Sequence, residues 1–196
     1  MHLREIFKTE NPKRDKYLSR VFGIFSEEIA SLWIGSYCSP YINRGRPTLS
    51  RIGAGAKSYT MDFTLQEKAG KKIYIAEMKC ELEYDNYRYL ELVEYKQLDH
   101  HKGEAFSILI DFASNPQKYK VTVSGKDIQP HGSILIWGAV TDKGRNDVLQ
   151  NTNLREVLSL ETMINDLLQD NGIDYKELLN RYAEWTVYLF EKLGSR

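Results

Sequence analysis

The sequence predicts an α/β protein, with helices layered on a sheet and a helical C-terminal extension. Three observations carry this expectation. Residues 13–34 space their apolar side chains as an amphipathic helix, with Leu18, Val21, Phe22, Phe25, Ile29, Leu32 and Trp33 at i, i+3/i+4 intervals. Residues 59–80 form a self-complementary hairpin about Ala69-Gly70. Residues 73–112 then read as strand, helix and buried strand, a crossover unit that implies parallel pairing.

Along the chain, Asn11-Pro12 is a helix start. Glu28 lies at the edge of the first helix's apolar stripe, about 20° from Val21 at 100° per residue. From there it can reach a site beside the core or simply end in water. Glu27 falls on the opposite side. Residues 35–58 are rich in Gly, Ser, Pro and Arg and predict a long loop, with short strands at 36–42 or 48–52. Gly53-Ala54-Gly55 permits close backbone approach, but the Gly-Lys-Ser/Thr ending of a Walker loop is missing.

In the hairpin, Met61 faces Met78, Phe63 faces Ala76, Leu65 faces Tyr74 and Tyr59 faces Cys80, which makes one face apolar. On the other face Thr60 meets Lys79, Thr64 meets Ile75 and Asp62 meets Glu77. A symmetric loop of four or six residues keeps this register, whereas a bulge breaks it. Residues 85–101 predict a helix ended by Gly103, with Leu90 and Val93 inward, and 105–112 (AFSILIDF) a buried strand. Asp111 within that run needs a partner, an arginine being the ordinary answer. Residues 119–124 alternate as a strand, Pro130-His131-Gly132 turns, 133–140 is another buried strand, and 141–147 a polar loop. The chain divides into a core, 1–150, and a helical pair, 151–196, packed on the core or at a dimer interface. The first of these helices ends at Asn171-Gly172 and the second begins at Asp174, with Leu178, Tyr182, Trp185 and Leu189 on one stripe. Such a stripe is core or subunit interface rather than a cofactor box.

Composition narrows the function classes. Formal net charge is zero, so no global basic field points to nucleic acid. The charge is uneven, however. No acid occurs from Ile29 to Met61, where Arg44, Arg46, Arg51 and Lys57 lie, and six acids occur from Glu81 to Asp99. Two cysteines make neither a disulfide framework nor a zinc site, which fits a reducing, cytoplasmic setting. No signal-peptide pattern and no membrane-length apolar run is present. His2, His100, His101 and His131 lack metal-ligand spacing. The hairpin has no histidine for HNH-type chemistry, and no Gly-x-Ser-x-Gly elbow or dinucleotide fingerprint occurs.

Two carboxylates directly opposite each other repel unless something cationic sits between them. Lys79 lies two residues from Glu77 on the same strand face. Asp62, Glu77 and Lys79 around one point form the layout of a divalent-metal site with a lysine beside it. The plain alternative is a set of surface cross-strand pairs worth under about 1 kcal/mol. Ile73 and Ile75 on that same face argue that it is covered.

This order resembles the PD-(D/E)XK nuclease superfamily over residues 15–112: a helix with an edge glutamate, a Gly/Arg loop, Asp62, then Glu77-Met78-Lys79. Within it the arrangement looks most like the archaeal Holliday-junction resolvases, by the short first helix, the Arg/Gly loop and the compact spacing. Met61 stands where the family has proline. The resemblance implies a restriction-endonuclease-like mixed β-sheet flanked by helices, and a homodimeric, metal-dependent DNA endonuclease acting on branched DNA. Asp62, Glu77 and the Met78 carbonyl would ligate Mg²⁺ or Mn²⁺, Glu28 would complete the shell, and Glu81 is a lesser accessory. Lys79 would orient the attacking water. Arg44, Arg46, Arg51 and Lys57 would contact phosphates, and the C-terminal helices would serve the interface or substrate shape. No organic cofactor and no membrane is implied. Alternatives are a restriction-type enzyme on linear DNA, a silent DNA-binding protein of the same fold, and an interaction domain without nucleic acid.

Overall fold

The computed structural model describes residues 2–7, 11–53, 57–80, 90–100, 103–170 and 172–194. Six helices and mixed β-sheet are found among them. After the short α1 (Leu3–Phe7), α2 (Pro12–Gly35) begins as expected, with the Asn11 side chain accepting from the Lys13 and Arg14 N–H groups. The central sheet has the order β1-β4-β5-β9-β11, from β1 (Tyr41–Asn43), β4 (Phe63–Glu67), β5 (Ile73–Lys79), β9 (Ser133–Trp137) and β11 (Glu156–Ser159). β5 runs antiparallel to β4 and parallel to β9, which is parallel to β11. All five residues of β9 are buried, as befits a strand covered on both faces.

One core lies between this sheet and the helices α2, α5 (Leu160–Gln169) and the start of α6 (Ile173–Gly194). It joins Ile29, Ala30 and Trp33 to Phe63, Leu65, Ala76, Ile134 and Met163. The Trp33 indole N–H donates to Asp166 at 2.9 Å and ties α2 to α5. On the opposite face a second core joins Ile75, Leu135 and Val157 to α3 (Glu104–Ser114) and to a four-stranded antiparallel sheet. That sheet has the order β3-β2-β7-β8, from β2 (Pro47–Arg51), β3 (Ser58–Thr60), β7 (Tyr119–Val123) and β8 (Lys126–Ile128). A small parallel pair, β6 (Glu91–Leu92) with β10 (Ala139–Val140), completes the strands. No described helix is long and apolar enough to cross a membrane.

The hairpin keeps its expected register over Phe63↔Ala76, Thr64↔Ile75 and Leu65↔Tyr74, and closes through Glu67 N–H to the Lys72 carbonyl at 3.0 Å. The four-residue loop leaves its centre unchanged. Pairing stops at Phe63. Beyond it Ser58–Thr60 is drawn into the second sheet, Thr48 opposite Thr60, and the Met61 N–H donates to the Pro47 carbonyl at 2.9 Å. Met61 therefore sits in the second core with Leu49 and Ile75, not on the Phe63 face. The expected pairs of Tyr59, Thr60, Met61 and Asp62 with β5 are replaced by this change of sheet.

Other expectations are corrected. The run 105–112 is helical, not a strand: Phe106, Ile108, Leu109 and Phe112 are buried on one helix face, and Gly103 is its N-cap. The parallel partner of β5 is β9 instead. Of the helix expected at 85–101, residues 85–89 and 101 lie outside the described residues, as does Glu81. Residues 90–100 contain β6 and a 3-10 turn, Tyr95–His100; Leu90, just before β6, is buried, but Val93, between the two, is exposed. Ala54-Gly55 also lies outside the described residues. The polar stretch after β10 is α4 (Asp142–Asn151), capped by the Thr141 side chain on the Gly144 N–H. The segment after it opens with β11 in the central sheet, and α5 starts at the Ser159 cap. Of the last helix, Tyr175 and Leu178 are buried, whereas Trp185, Tyr188, Leu189 and Leu193 are more than half exposed.

Candidate active site

A cavity of about 450 Å³ opens where the C-terminal end of β5 passes α2. The helix contributes Ser19, Arg20, Gly23, Ser26 and Glu27, the end of β5 contributes Glu77, Met78, Lys79 and the following Cys80, and the segment between β3 and β4 contributes Asp62. Small side chains explain the cavity. Ser19, Gly23, Ser26 and Ala30 recur at helical spacing, so this flank of α2 approaches the sheet without filling the space between. The break in the hairpin supplies the other wall. Asp62 is released from the ladder, and its Oδ2 accepts from the Met78 N–H at 2.7 Å. The carboxylate thereby crosses to β5 through its side chain rather than its backbone.

Glu77 is buried, and its Oε1 accepts from Lys79 Nζ at 2.9 Å. Its Oε2 is buried with no hydrogen-bond partner. Burial, and then the charge of Asp62, push the Glu77 carboxyl above its ordinary range, and the Lys79 ammonium opposes this. Burial also raises the Cys80 thiol, leaving it a protonated wall of the cavity rather than a nucleophile.

At the mouth, Arg46 donates from Nη1 to Glu27 Oε1 and from Nη2 to Asp62 Oδ1, each at 3.2 Å. Its backbone is clamped on both sides. Arg44 N–H donates to the Thr64 carbonyl and Thr64 N–H to the Gly45 carbonyl, both at 2.8 Å, while Pro47 holds Met61. Gly45 has φ +108°, and a Cβ there would stand 3.4 Å from the Val123 side chain, so the turn requires glycine.

The structure thus brings Asp62, Glu77, Met78, Lys79 and Arg46 together. It does not bring Glu28. That carboxylate accepts a hydrogen bond from the Tyr182 hydroxyl on α6, and Phe25 packs on the same ring at 5.5 Å. The Phe25–Glu28 edge of α2 is thus turned to Tyr182 of α6. Glu27, expected in solvent, lines the cavity instead. The stripe of small residues beside it is the sequence signal that marks this flank. Arg44 donates to Gln66 at 2.8 Å on the hairpin, and Lys57 is exposed just before β3. Arg51 points to the second core. It donates to Asp111 at 2.7 Å and stacks over Tyr119, 5.7 Å from the ring centre. The partner expected for Asp111 is indeed an arginine, on β2, though Asp111 itself stands on a helix rather than a strand.

A hard divalent cation suits this donor set. Mg²⁺ commonly takes one or two carboxylates and completes its shell with water and substrate phosphate. Asp62 and Glu77 are two such carboxylates on one cavity, and the orphan Glu77 Oε2 is an acceptor held ready. Among the described residues no three His, Cys, Asp or Glu converge tightly enough to enclose a metal by themselves, so such an ion would need water and substrate to complete its shell. No family model, curated protein or solved structure matches the chain.

Proposed function

We propose that this chain is a metal-dependent DNA endonuclease of the PD-(D/E)XK kind, on a restriction-endonuclease-like fold, with branched, junction-like DNA as its substrate. The observation that carries the reading is the orphaned, buried Glu77 Oε2. It belongs to a Glu-x-Lys pair on one strand and faces a cavity shared with Asp62, which stands in the break between β3 and β4. Asp62, Glu77 and the Met78 carbonyl would hold Mg²⁺ or Mn²⁺, with Glu27, not Glu28, as the helix carboxylate beside them. Bound there, the cation would polarise the phosphate and acidify its water. Lys79, fixed by Glu77, orients that water and offsets charge gathering on the phosphate. Arg44, Arg46 and Lys57 contact the DNA backbone, while Arg51 is already engaged by Asp111 and Tyr119. A homodimer belongs to this reading, because α6 leaves Trp185, Tyr188, Leu189 and Leu193 for a second copy to cover.

Incubation of the protein with labelled four-way junction and linear duplex tests this. Product is expected only with Mg²⁺ or Mn²⁺, more from the junction, and none from Asp62→Ala, Glu77→Ala or Lys79→Ala variants of unchanged circular dichroism. Normal cutting by all three variants would move the chemistry elsewhere. One observation favours a second reading, a silent DNA-binding protein: Arg46 already supplies positive charge to Asp62. Retained DNA without product after long incubation with either metal selects it.

A further inference from the structure

Arg46 has two tasks that exclude each other. Its guanidinium spans Glu27 and Asp62, each through a single N–H at 3.2 Å. Each Asp62 oxygen then already accepts a hydrogen bond, Oδ2 from the Met78 N–H and Oδ1 from Arg46. A cation entering between Asp62 and Glu77 needs an Asp62 oxygen and meets the like charge of Arg46. The hold is weak enough to yield. The Arg46 side chain is 55% exposed, against 42% for Glu27 and 17% for Asp62, and neither contact is a bidentate fork, so the guanidinium end of each pair is open to water. Only the side chain is free to swing, because hydrogen bonds at Gly45 and Pro47 clamp the backbone on both sides.

We infer that Arg46 is a cation-responsive phosphate ligand. Without a divalent ion it neutralises Asp62 and Glu27 and closes the cavity mouth. When the ion takes Asp62, the guanidinium is released at the rim and binds the phosphate of the incoming strand. Cation and nucleic acid then bind cooperatively through one side chain, and by linkage each strengthens the other by the same factor. This rests on the nuclease reading above, and its test separates the two.

Mn²⁺ binding to the full chain without DNA is measured by calorimetry, for wild type, Arg46→Ala, Arg46→Lys and Asp62→Asn. Binding of a fluorescent phosphorothioate duplex is followed by anisotropy with and without Mn²⁺. Arg46→Ala is expected to bind Mn²⁺ about two- to fivefold more tightly than wild type, the worth of an ion pair whose arginine is exposed. It should also lose most of the Mn²⁺ stimulation of DNA binding, and Arg46→Lys should restore part of it. A wild type that binds no Mn²⁺, or an Asp62→Asn variant that binds it equally well, overturns both this inference and the nuclease reading. If Mn²⁺ binding depends on Asp62 but Arg46→Ala leaves either readout at the wild-type value, the inference alone falls.

Discussion

Two carboxylate centres, Asp111 on α3 and Glu77 near the C-terminal end of β5, differ in how completely they are finished. Asp111 on α3 accepts from Asn115 on Oδ1 at 2.9 Å and from both Arg51 and the Tyr119 hydroxyl on Oδ2. The tyrosine hydrogen bond leads the effects that hold its carboxyl below the ordinary range. Glu77 has one donor, Lys79, and a buried oxygen with none, and its carboxyl is pushed the other way. Each centre draws an arginine from the same basic stretch: Arg51 completes Asp111, whereas Arg46 spans two acids at a cavity mouth. A carboxylate whose oxygens all meet donors stabilises the fold. One kept desolvated with an open oxygen costs stability and has capacity for a ligand.

The largest expected difference is in activity. On the proposed nuclease reading, Glu77→Gln should lower Mg²⁺-dependent cleavage by at least about 10²-fold, since even residues that only support metal ligands act at 10–100-fold. Asp111→Asn should stay within about twofold of wild type. Equal losses from both would erase the distinction. The next contrast lies on α2. Glu27→Gln should lower cleavage by about tenfold, while Glu28→Gln, which touches only the α6 seam, should leave it within about twofold and lower thermal stability instead.

The smallest effects concern stability and its pH dependence. At pH 7, Glu77→Gln should raise Tm by about 2–4 °C, the worth of about 1 kcal/mol in a domain of this size, and Asp111→Asn should lower it. The signs follow from the shifts. Glu77 titrates higher in the folded state than its unfolded value of about 4.3. Wild type therefore loses stability as pH rises from there through the raised folded value, and the Glu77→Gln gain disappears in acid. Asp111 titrates lower when folded, so its contribution is complete above about pH 3.9. It is lost as pH falls through the folded value, and the Asp111→Asn deficit closes there. Melting curves from pH 3 to 8 that shift in the same sense for both variants would contradict this assignment.

The sequence alone determined what depends on near neighbours. The cap at Asn11 and the register from Phe63 to Tyr74 follow from side chains a few residues apart along a strand or turn. So does the placing of Glu77 and Lys79 on one face. The apolar run 105–112 reads as a buried strand because a short, nearly continuous apolar stretch suits one, but packing on the sheet makes it a helix with Phe106, Leu109 and Phe112 inward. α4 was hidden because Val148 is its one buried apolar side chain.

Only the tertiary structure decided which glutamate of α2 meets the site, because α6, some 150 residues away in the chain, occupies the seam at Glu28. It also decided how Asp62 reaches Glu77. The second sheet pulls Ser58–Thr60 away, and the carboxylate spans the gap by a hydrogen bond to Met78. The chemistry of the site was legible because residue types and alternation are local. Its geometry was not, because competition between two sheets for one strand is settled by contacts far apart in sequence.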